Sequence, residues 1–282
     1  MTLPTIEAEG AASRFITAAG LKTHYVERGA GPTLVLVHGG GAGADAWGNW
    51  RGCIAPYAEC FRVIAVDMPG FGRTAKPAPE TYEYSQANRN VHLVAFIEAL
   101  GAGPVNLIGN SMGGATSLGV AMARPDLVRK LVLMGSAGLD IANPDPEFRK
   151  SLTGYDFTLE GMRKVMATLT GPGYSIDEDL LRYRYELTLP VDARAAIGGL
   201  RGAPLTYERG EIAKVKTPTL VVGGKEDKIA VLARTYGFLE LLENSWGFVL
   251  PHCGHWAMME APSEFVAVTS AFFANGMFGR AP

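Results

Sequence analysis

The sequence predicts an α/β protein whose mostly parallel, eight-stranded sheet is flanked by helices and interrupted by a helical insertion. Three observations predict it. Short apolar runs bounded by glycine and proline alternate with longer segments of helical character, the order that winds a parallel sheet. These runs are almost continuously apolar, as strands buried on both faces must be. The alternation stops after Gly138 and resumes at Thr219, so a segment of different character interrupts the sheet.

Phe15 to Thr17 and Lys22 to Glu27, separated by Ala19-Gly20, read as an antiparallel hairpin that opens the sheet. Thr33 to Val37 (TLVLV), Arg62 to Val66 (RVIAV), Val105 to Ile108 and Lys130 to Met134 follow as buried strands. Between them lie two expected helices, Ser85 to Leu100 and Met112 to Ala123. The first has its apolar positions at Val91, Val94 and Ala95, with Glu98 breaking the stripe. From Asp140 to Gly210 the chain turns polar and shows helical periodicity without a buried strand, best at Gly161 to Leu169 and Asp177 to Leu189. Thr219 to Val222 and Phe248 to Leu250 complete the sheet, and a helix from Pro262 to Phe273 closes the chain. The expected organisation is a core of residues 1–139 and 211–282 with a helical lid, 140–210, inserted after the sixth strand. There is no internal repeat and no low-complexity tract.

Twenty-eight acidic residues face twenty-six basic ones, a net charge of −2, with no long run of one sign. That balance argues against a nucleic-acid surface or a polybasic membrane patch and favours a small-molecule partner. The longest apolar stretches fall well short of the ~20 residues that span a bilayer. Met1 to Ala12 carries acids and a proline and lacks the apolar centre of a secretory signal. Cys53, Cys60 and Cys253 form no CxxC and no disulfide framework. A soluble, cytoplasmic protein is expected, in a compartment where thiols stay reduced.

The chemistry centres on Gly109-Asn110-Ser111-Met112-Gly113, a G-x-S-x-G that follows an apolar strand and precedes a helix. In that setting the serine occupies a tight strand-to-helix turn with its hydroxyl exposed. Serine needs a base, and the base needs an orienting acid. His255, in Pro251-His252-Cys253-Gly254-His255-Trp256, follows the last strand; His252 is its rival, and Gly254 is expected to give the loop room to bend. Asp227, at the end of Gly223-Gly224-Lys225-Glu226-Asp227, is the expected acid, with Glu226 as neighbour and alternative. The order Ser, Asp, His is the one the α/β-hydrolase fold uses. An oxyanion hole is expected from the N–H of Met112 and that of Gly40, within His38-Gly39-Gly40-Gly41. Gly41 is the next choice and an expected substrate contact, and His38 is expected to shape the loop.

Two other readings are weaker. His252, Cys253 and His255 suggest a metal, but no second ligand pair has the spacing, and coordination would consume the base. The glycines after Val37 lack the G-x-G-x-x-G register of a dinucleotide site. Neither a metal nor a cofactor is expected.

The strings HGGGAGADAWGNW, VIAVDMPGFGRTAKP, IGNSMGGATSLGVA and PHCGHWAMME, with the lid string Tyr155-Asp156-Phe157-Thr158, resemble the meta-cleavage product hydrolases of the α/β-hydrolase superfamily. The resemblance is nearest to those of carbazole and biphenyl degradation. It implies hydrolysis of the C5–C6 bond of a 2-hydroxy-6-oxohexa-2,4-dienoate with an aryl or alkyl group on C6, without cofactor. It also implies a homo-oligomer, a dimer or larger. By the same resemblance Arg184 binds the C1 carboxylate, with Arg182 as competitor, and Asn49, Asn110 and Trp256 contact the substrate. Ala42 departs from the proline of many relatives, which touches loop rigidity. Within the lid, Phe148, Phe157, Met162, Met166, Tyr174 and Leu200 either line an apolar pocket or form the lid's own core. A carboxylesterase with the same triad and a non-catalytic ligand receptor are the competing functions. Serine at position 111 argues against the dehalogenase and epoxide-hydrolase chemistries, which use aspartate.

Overall fold

Strands rich in aliphatic residues pair into one eight-stranded sheet of order β1-β2-β4-β3-β5-β6-β7-β8. The computed structural model describes residues 5–141, 143, 145, 147, 148, 150, 154–200 and 204–274. β1 (Ala12–Ala18) and β2 (Leu21–Arg28) form the antiparallel hairpin, and β2 also runs antiparallel to β4 (Arg62–Val66). β3 (Thr33–Val37), β5 (Val105–Asn110), β6 (Val128–Met134), β7 (Thr219–Gly224) and β8 (Ser245–Leu250) continue the sheet in parallel. The eight-stranded, mostly parallel architecture read from the sequence is the one observed.

The continuous apolar pattern has a direct cause. Along β3, Leu34 and Leu36 pack into the core on one face, while Val35 and Val37 pack into the core on the other. The first core is covered by α1 (Ala46–Tyr57), the short α9 (Ala257–Glu260) and α10 (Pro262–Phe273). The second is covered by α2 (Gln86–Ala99), α3 (Met112–Ala123) and α8 (Leu232–Leu241). α2 corrects the expected stripe: Val91 is 60% exposed, and the buried face is Arg89, His92, Leu93, Phe96 and Ile97.

Between β6 and β7 the described residues form α4 (Leu159–Leu169), α5 (Glu178–Glu186), α6 (Val191–Leu200) and the short α7 (Arg209–Ile212). The Asp177 carboxylate caps α5, accepting from Asp179 and Leu180, so this helix starts where the periodicity placed it. The two ends of this helical stretch meet: Gly138 and Thr206 form a parallel bridge, and Tyr207 N–H donates to the Gly138 carbonyl at 2.8 Å. Met162 and Met166 are buried in the first core, and Phe157 packs against it. Of the six residues weighed above for the pocket, only Leu200 joins the cavity wall described next.

Candidate active site

Helical residues Leu169, Arg184, Ile197 and Leu200 and the carboxyl ends of the strands enclose a cavity of about 630 Å³, and Ser111 and His255 line it. β5 ends at Asn110, and α3 begins at Met112, leaving Ser111 alone at φ 54°, ψ −118°. For a residue with a side chain this left-handed backbone costs about 1–2 kcal/mol, so packing must hold it. It is held at both ends: Ser111 N–H donates to the Met134 carbonyl at 3.1 Å, and its carbonyl accepts from Ala115 and Ala137. A side chain on Gly113 would strike the Val37 and His38 carbonyls, and one on Gly109 would strike that of Gly113. The motif's glycines therefore permit the close approach of β3, β5 and α3 that lifts the serine into the cavity.

His255 and Asp227 are joined by a 2.7 Å contact between Nδ1 and Oδ2, and both are buried. Burial disfavours the Asp227 charge, but His255 and the N–H groups of Ile229 and Ala230 outweigh it, holding its pKa below the ordinary value. An ionised Asp227 accepting from Nδ1–H leaves Nε2 free to take a proton. His252 is exposed in a left-handed conformation (φ 55°), and Glu226 does not enter the pair. His38 is buried between the Gly39 carbonyl, 2.7 Å from Nδ1, and the Met68 N–H, 3.0 Å from Nε2, with its pKa lowered by burial. That is the loop-shaping place expected for it.

Three groups that sequence reasoning missed hold this pair. A Cβ at Gly135 would lie 3.0 Å from His255 Nδ1 and 3.2 Å from Asp227 Oδ2, so the end of β6 abuts the pair. Glu260 accepts from the N–H groups of Gly254 and Trp256, which flank His255, and from Gly171 N–H at 2.6 Å. His255 N–H donates to the Leu169 carbonyl at 2.8 Å. Gly254 works differently from the expectation: its missing side chain permits contact, since a Cβ there would lie 2.5 Å from Gly171 N. The base loop is thereby bolted to the end of α4. No spacing rule marks Glu260 or Gly135, because each acts on backbone brought close only by the fold.

Gly40 and Met112 adjoin, a Cβ on Gly40 lying 2.9 Å from Met112 Sδ, so the two expected N–H donors belong to neighbouring stretches of the cavity wall. Asn110 Nδ2 donates to the Met134 carbonyl, while its Oδ1 is buried without a partner. Arg184 is fully buried, whereas Arg182 is exposed. The Arg184 guanidinium donates to Asn49 Oδ1 at 3.0 Å and the Ala42 carbonyl at 3.1 Å, and lies 4.7 Å from the Trp256 ring centre. Burial lowers its pKa to about 10, leaving it charged at neutral pH. Gly41 stands beside it, its Cβ position 3.6 Å from Nη2. Beneath, Tyr183 donates to Asp45, the cap of α1, whose pKa burial and the Asp67 charge raise to about 7. Among the described residues no group of His, Cys, Asp and Glu is placed to hold a metal ion.

Residues 32–262 match the family model of the alpha/beta hydrolase fold. This chain is an α/β-hydrolase. Within that family it is 45% identical, over 93% of its length and 91% of the relative's, to the 2-hydroxy-6-oxo-6-(2'-aminophenyl)hexa-2,4-dienoic acid hydrolase of Metapseudomonas resinovorans. It is 33% identical, over 93% of its length and 96% of the relative's, to the 2-hydroxy-6-oxo-2,4-heptadienoate hydrolase of Pseudomonas putida. Among solved structures, the carbazole-degradation serine hydrolase CarC matches with a TM-score of 0.86 at 44% identity, covering 94% of this chain and 99% of that one. The chain thus belongs with the meta-cleavage product hydrolases among the α/β-hydrolases.

Proposed function

We propose that this hydrolase cleaves the C5–C6 carbon–carbon bond of a 2-hydroxy-6-oxohexa-2,4-dienoate bearing an aryl or alkyl group on C6. The products are 2-hydroxypenta-2,4-dienoate and a carboxylic acid. One observation carries the reading: a serine at a strained turn, a buried His–Asp pair and a buried guanidinium bonded to neutral acceptors share one cavity. A carboxylate is the natural complement of a planar cation held that way.

In this account Arg184 binds the C1 carboxylate, with Asn49 orienting it and Trp256 stacked on it. The Asn110 Oδ1, free of protein partners, accepts from the 2-hydroxyl. Ketonisation moves the hydroxyl proton to C5. His255 then takes the Ser111 proton as Oγ adds to C6, and the N–H groups of Gly40 and Met112 hold the oxyanion. The C5–C6 electron pair leaves into the C2 carbonyl through the C3–C4 double bond, so the substrate is its own electron sink. The proton on His255 passes to the C2 enolate oxygen as 2-hydroxypenta-2,4-dienoate leaves. The neutral His255 then deprotonates the water that attacks the acyl group and returns that proton to Ser111 Oγ as the acid is released.

The lid, residues 140–210, then covers a core of 1–139 and 211–282. The meeting of Gly138 with Thr206 supports a boundary near those positions. Unpaired cysteines, two of them buried, suit a cytoplasmic location. A homo-oligomer, dimer or larger, belongs to the same proposal and is read by sedimentation. The test of function mixes the protein, without added cofactor, with phenyl- and methyl-substituted dienoates and follows loss of their visible colour. Appearance of benzoate or acetate supports carbon–carbon hydrolysis; turnover of simple esters alone would move the function to carboxylesterase.

A further inference from the structure

One buried carboxyl beside the cavity takes no part in the chemistry above. Asp45 is 4% exposed. Its Oδ1 accepts from Gly48 N–H at 2.7 Å, and its Oδ2 accepts from the Tyr183 hydroxyl. The stretch that carries it also carries both acceptors of the Arg184 guanidinium, the Ala42 carbonyl and Asn49 Oδ1. That stretch is pressed against α5. A Cβ on Gly43 would strike the Arg184 carbonyl, and one on Gly48 would lie 2.8 Å from Asp45 Oδ1 and 3.2 Å from the Tyr183 ring. Asp45 and Arg184 thus belong to one desolvated cluster, in which the charge of either acts on the other.

The remaining charges around Asp45 are fixed. At the end of β4, Asp67 accepts from Ala46 N–H at 2.7 Å and lies 2.8 Å from His24 Nδ1. Burial disfavours the Asp67 charge, but the His24 and Ala46 contacts outweigh it and hold its pKa below the ordinary value. His38 is kept neutral by burial, and from α5 come Tyr183 and the charged Arg184. Arg73 lies farther off, its charge acting on Tyr183. Burial and the Asp67 charge raise the Asp45 pKa to about 7, against the pull of Tyr183, Gly48 and Arg184. A carboxyl that ionises near neutrality beside a cation competes with any incoming carboxylate for that cation.

We propose that Asp45 controls the anion affinity of Arg184. Protonated, it leaves the guanidinium to the substrate carboxylate; ionised, it opposes that carboxylate with a like charge. The proposal rests on the reading of Arg184 as the carboxylate anchor. By linkage, an anion that binds better to the protonated form draws a proton onto Asp45 as it binds. Affinity is therefore full at low pH and falls as pH rises through about 7.

The experiment follows binding by calorimetry from about pH 6 to about pH 8, one unit either side of the Asp45 pKa. The probe is 2-oxopentanoate, which has the carboxylate and 2-oxo group of the ketonised substrate and no bond to cleave. The proteins are wild type, Asp45→Asn, Tyr183→Phe and Arg184→Met. Asparagine has the shape of the protonated acid, with an acceptor for Gly48 N–H and a donor for the Tyr183 oxygen, and it still caps α1. Wild-type affinity should fall about tenfold over that range, the effect of a like charge in one buried site. Proton uptake on binding should appear as a heat that depends on the ionisation of the buffer. Asp45→Asn should keep the low-pH affinity of the wild type throughout, without proton uptake. Tyr183→Phe removes a donor to the ionised form, so the fall should move to higher pH, whereas a merely structural role would lower affinity at every pH alike. A wild-type affinity independent of pH overturns the proposal, as does a fall that persists in Asp45→Asn, which would assign the titration to His24 or His38. Arg184→Met separates the two readings. Weak binding by that variant at every pH upholds the anchor whatever Asp45 does. No binding to the wild type, or wild-type affinity in Arg184→Met, counts against the anchor itself and takes the proposal with it. Failure to cleave any dienoate counts against the proposed reaction alone.

Discussion

Replacing Arg184 with methionine separates what this residue does for folding from what it does for binding. The guanidinium is fully buried, and the drop of its pKa to about 10 corresponds to about 3 kcal/mol against the charged form. Against that cost stand two hydrogen bonds to neutral acceptors, at about 1 kcal/mol net each, and a Trp256 contact of about 1 kcal/mol. These nearly cancel, and methionine fills much of the same volume, so stability should change by no more than about 2 kcal/mol. Binding behaves otherwise. Losing the partner of a substrate carboxylate costs about 2–5 kcal/mol, roughly 30- to 4000-fold in kcat/KM. The assay pairs thermal unfolding with kcat/KM for a dienoate and for a neutral ester of the same acyl group. The expected result is a Tm within about 6 °C of wild type and a loss confined to the dienoate. Equal losses on both substrates would refute the assignment of Arg184 as carboxylate anchor.

Gly135→Ala adds a methyl group 3.0 Å from His255 Nδ1 at a backbone of φ 49°. It should cost about 1–2 kcal/mol of stability and at least roughly tenfold in kcat, with KM nearly unchanged; an unaltered kcat would mean the pair tolerates displacement. Glu260→Gln weakens a carboxylate that binds three backbone N–H groups around His255 and Gly171. We expect kcat to fall about tenfold and further in Glu260→Ala, whereas a pure loss of Tm with kcat intact would make the residue a brace for folding only. Asp45 supplies the pH test. Its folded pKa, about 7, lies above its unfolded value near 3.8, so the native state holds the extra proton between them. Its contribution to stability is present below about pH 4 and is lost as pH rises through 7. Relative to Asp45→Asn, which does not titrate, wild-type Tm should fall across that window, and a pH-independent difference would contradict the assignment.

Much of the fold was legible because local and global demands agree. β3, β5 and β7 read as buried strands since their aliphatic residues divide between the two cores on opposite faces of the sheet. α3 and α10 were legible to the residue. α1 was not, because Gly48, Gly52 and Pro56 break its pattern while an Asp45 cap and tertiary packing sustain it. α2 was legible as a helix but not in its inward face, since Arg89 and His92 occupy buried positions that hydrophobicity assigns to surface. At the site, Ser111, Asp227 and His255 stood out because each follows a strand, the position from which the fold presents side chains to its cavity. Glu260 and Gly135 did not, since their partners are a backbone and a missing Cβ brought close only in three dimensions.

The account depends most on Ser111 as the nucleophile at C6. A single-turnover experiment with Ser111→Ala and the phenyl-substituted dienoate, quantifying benzoate against time, tests it most directly. The account predicts that the variant binds the dienoate and forms no benzoate on the timescale of wild-type turnover, with ketonised substrate accumulating. Benzoate formed at the wild-type rate would contradict it and remove Ser111 from the bond-breaking step.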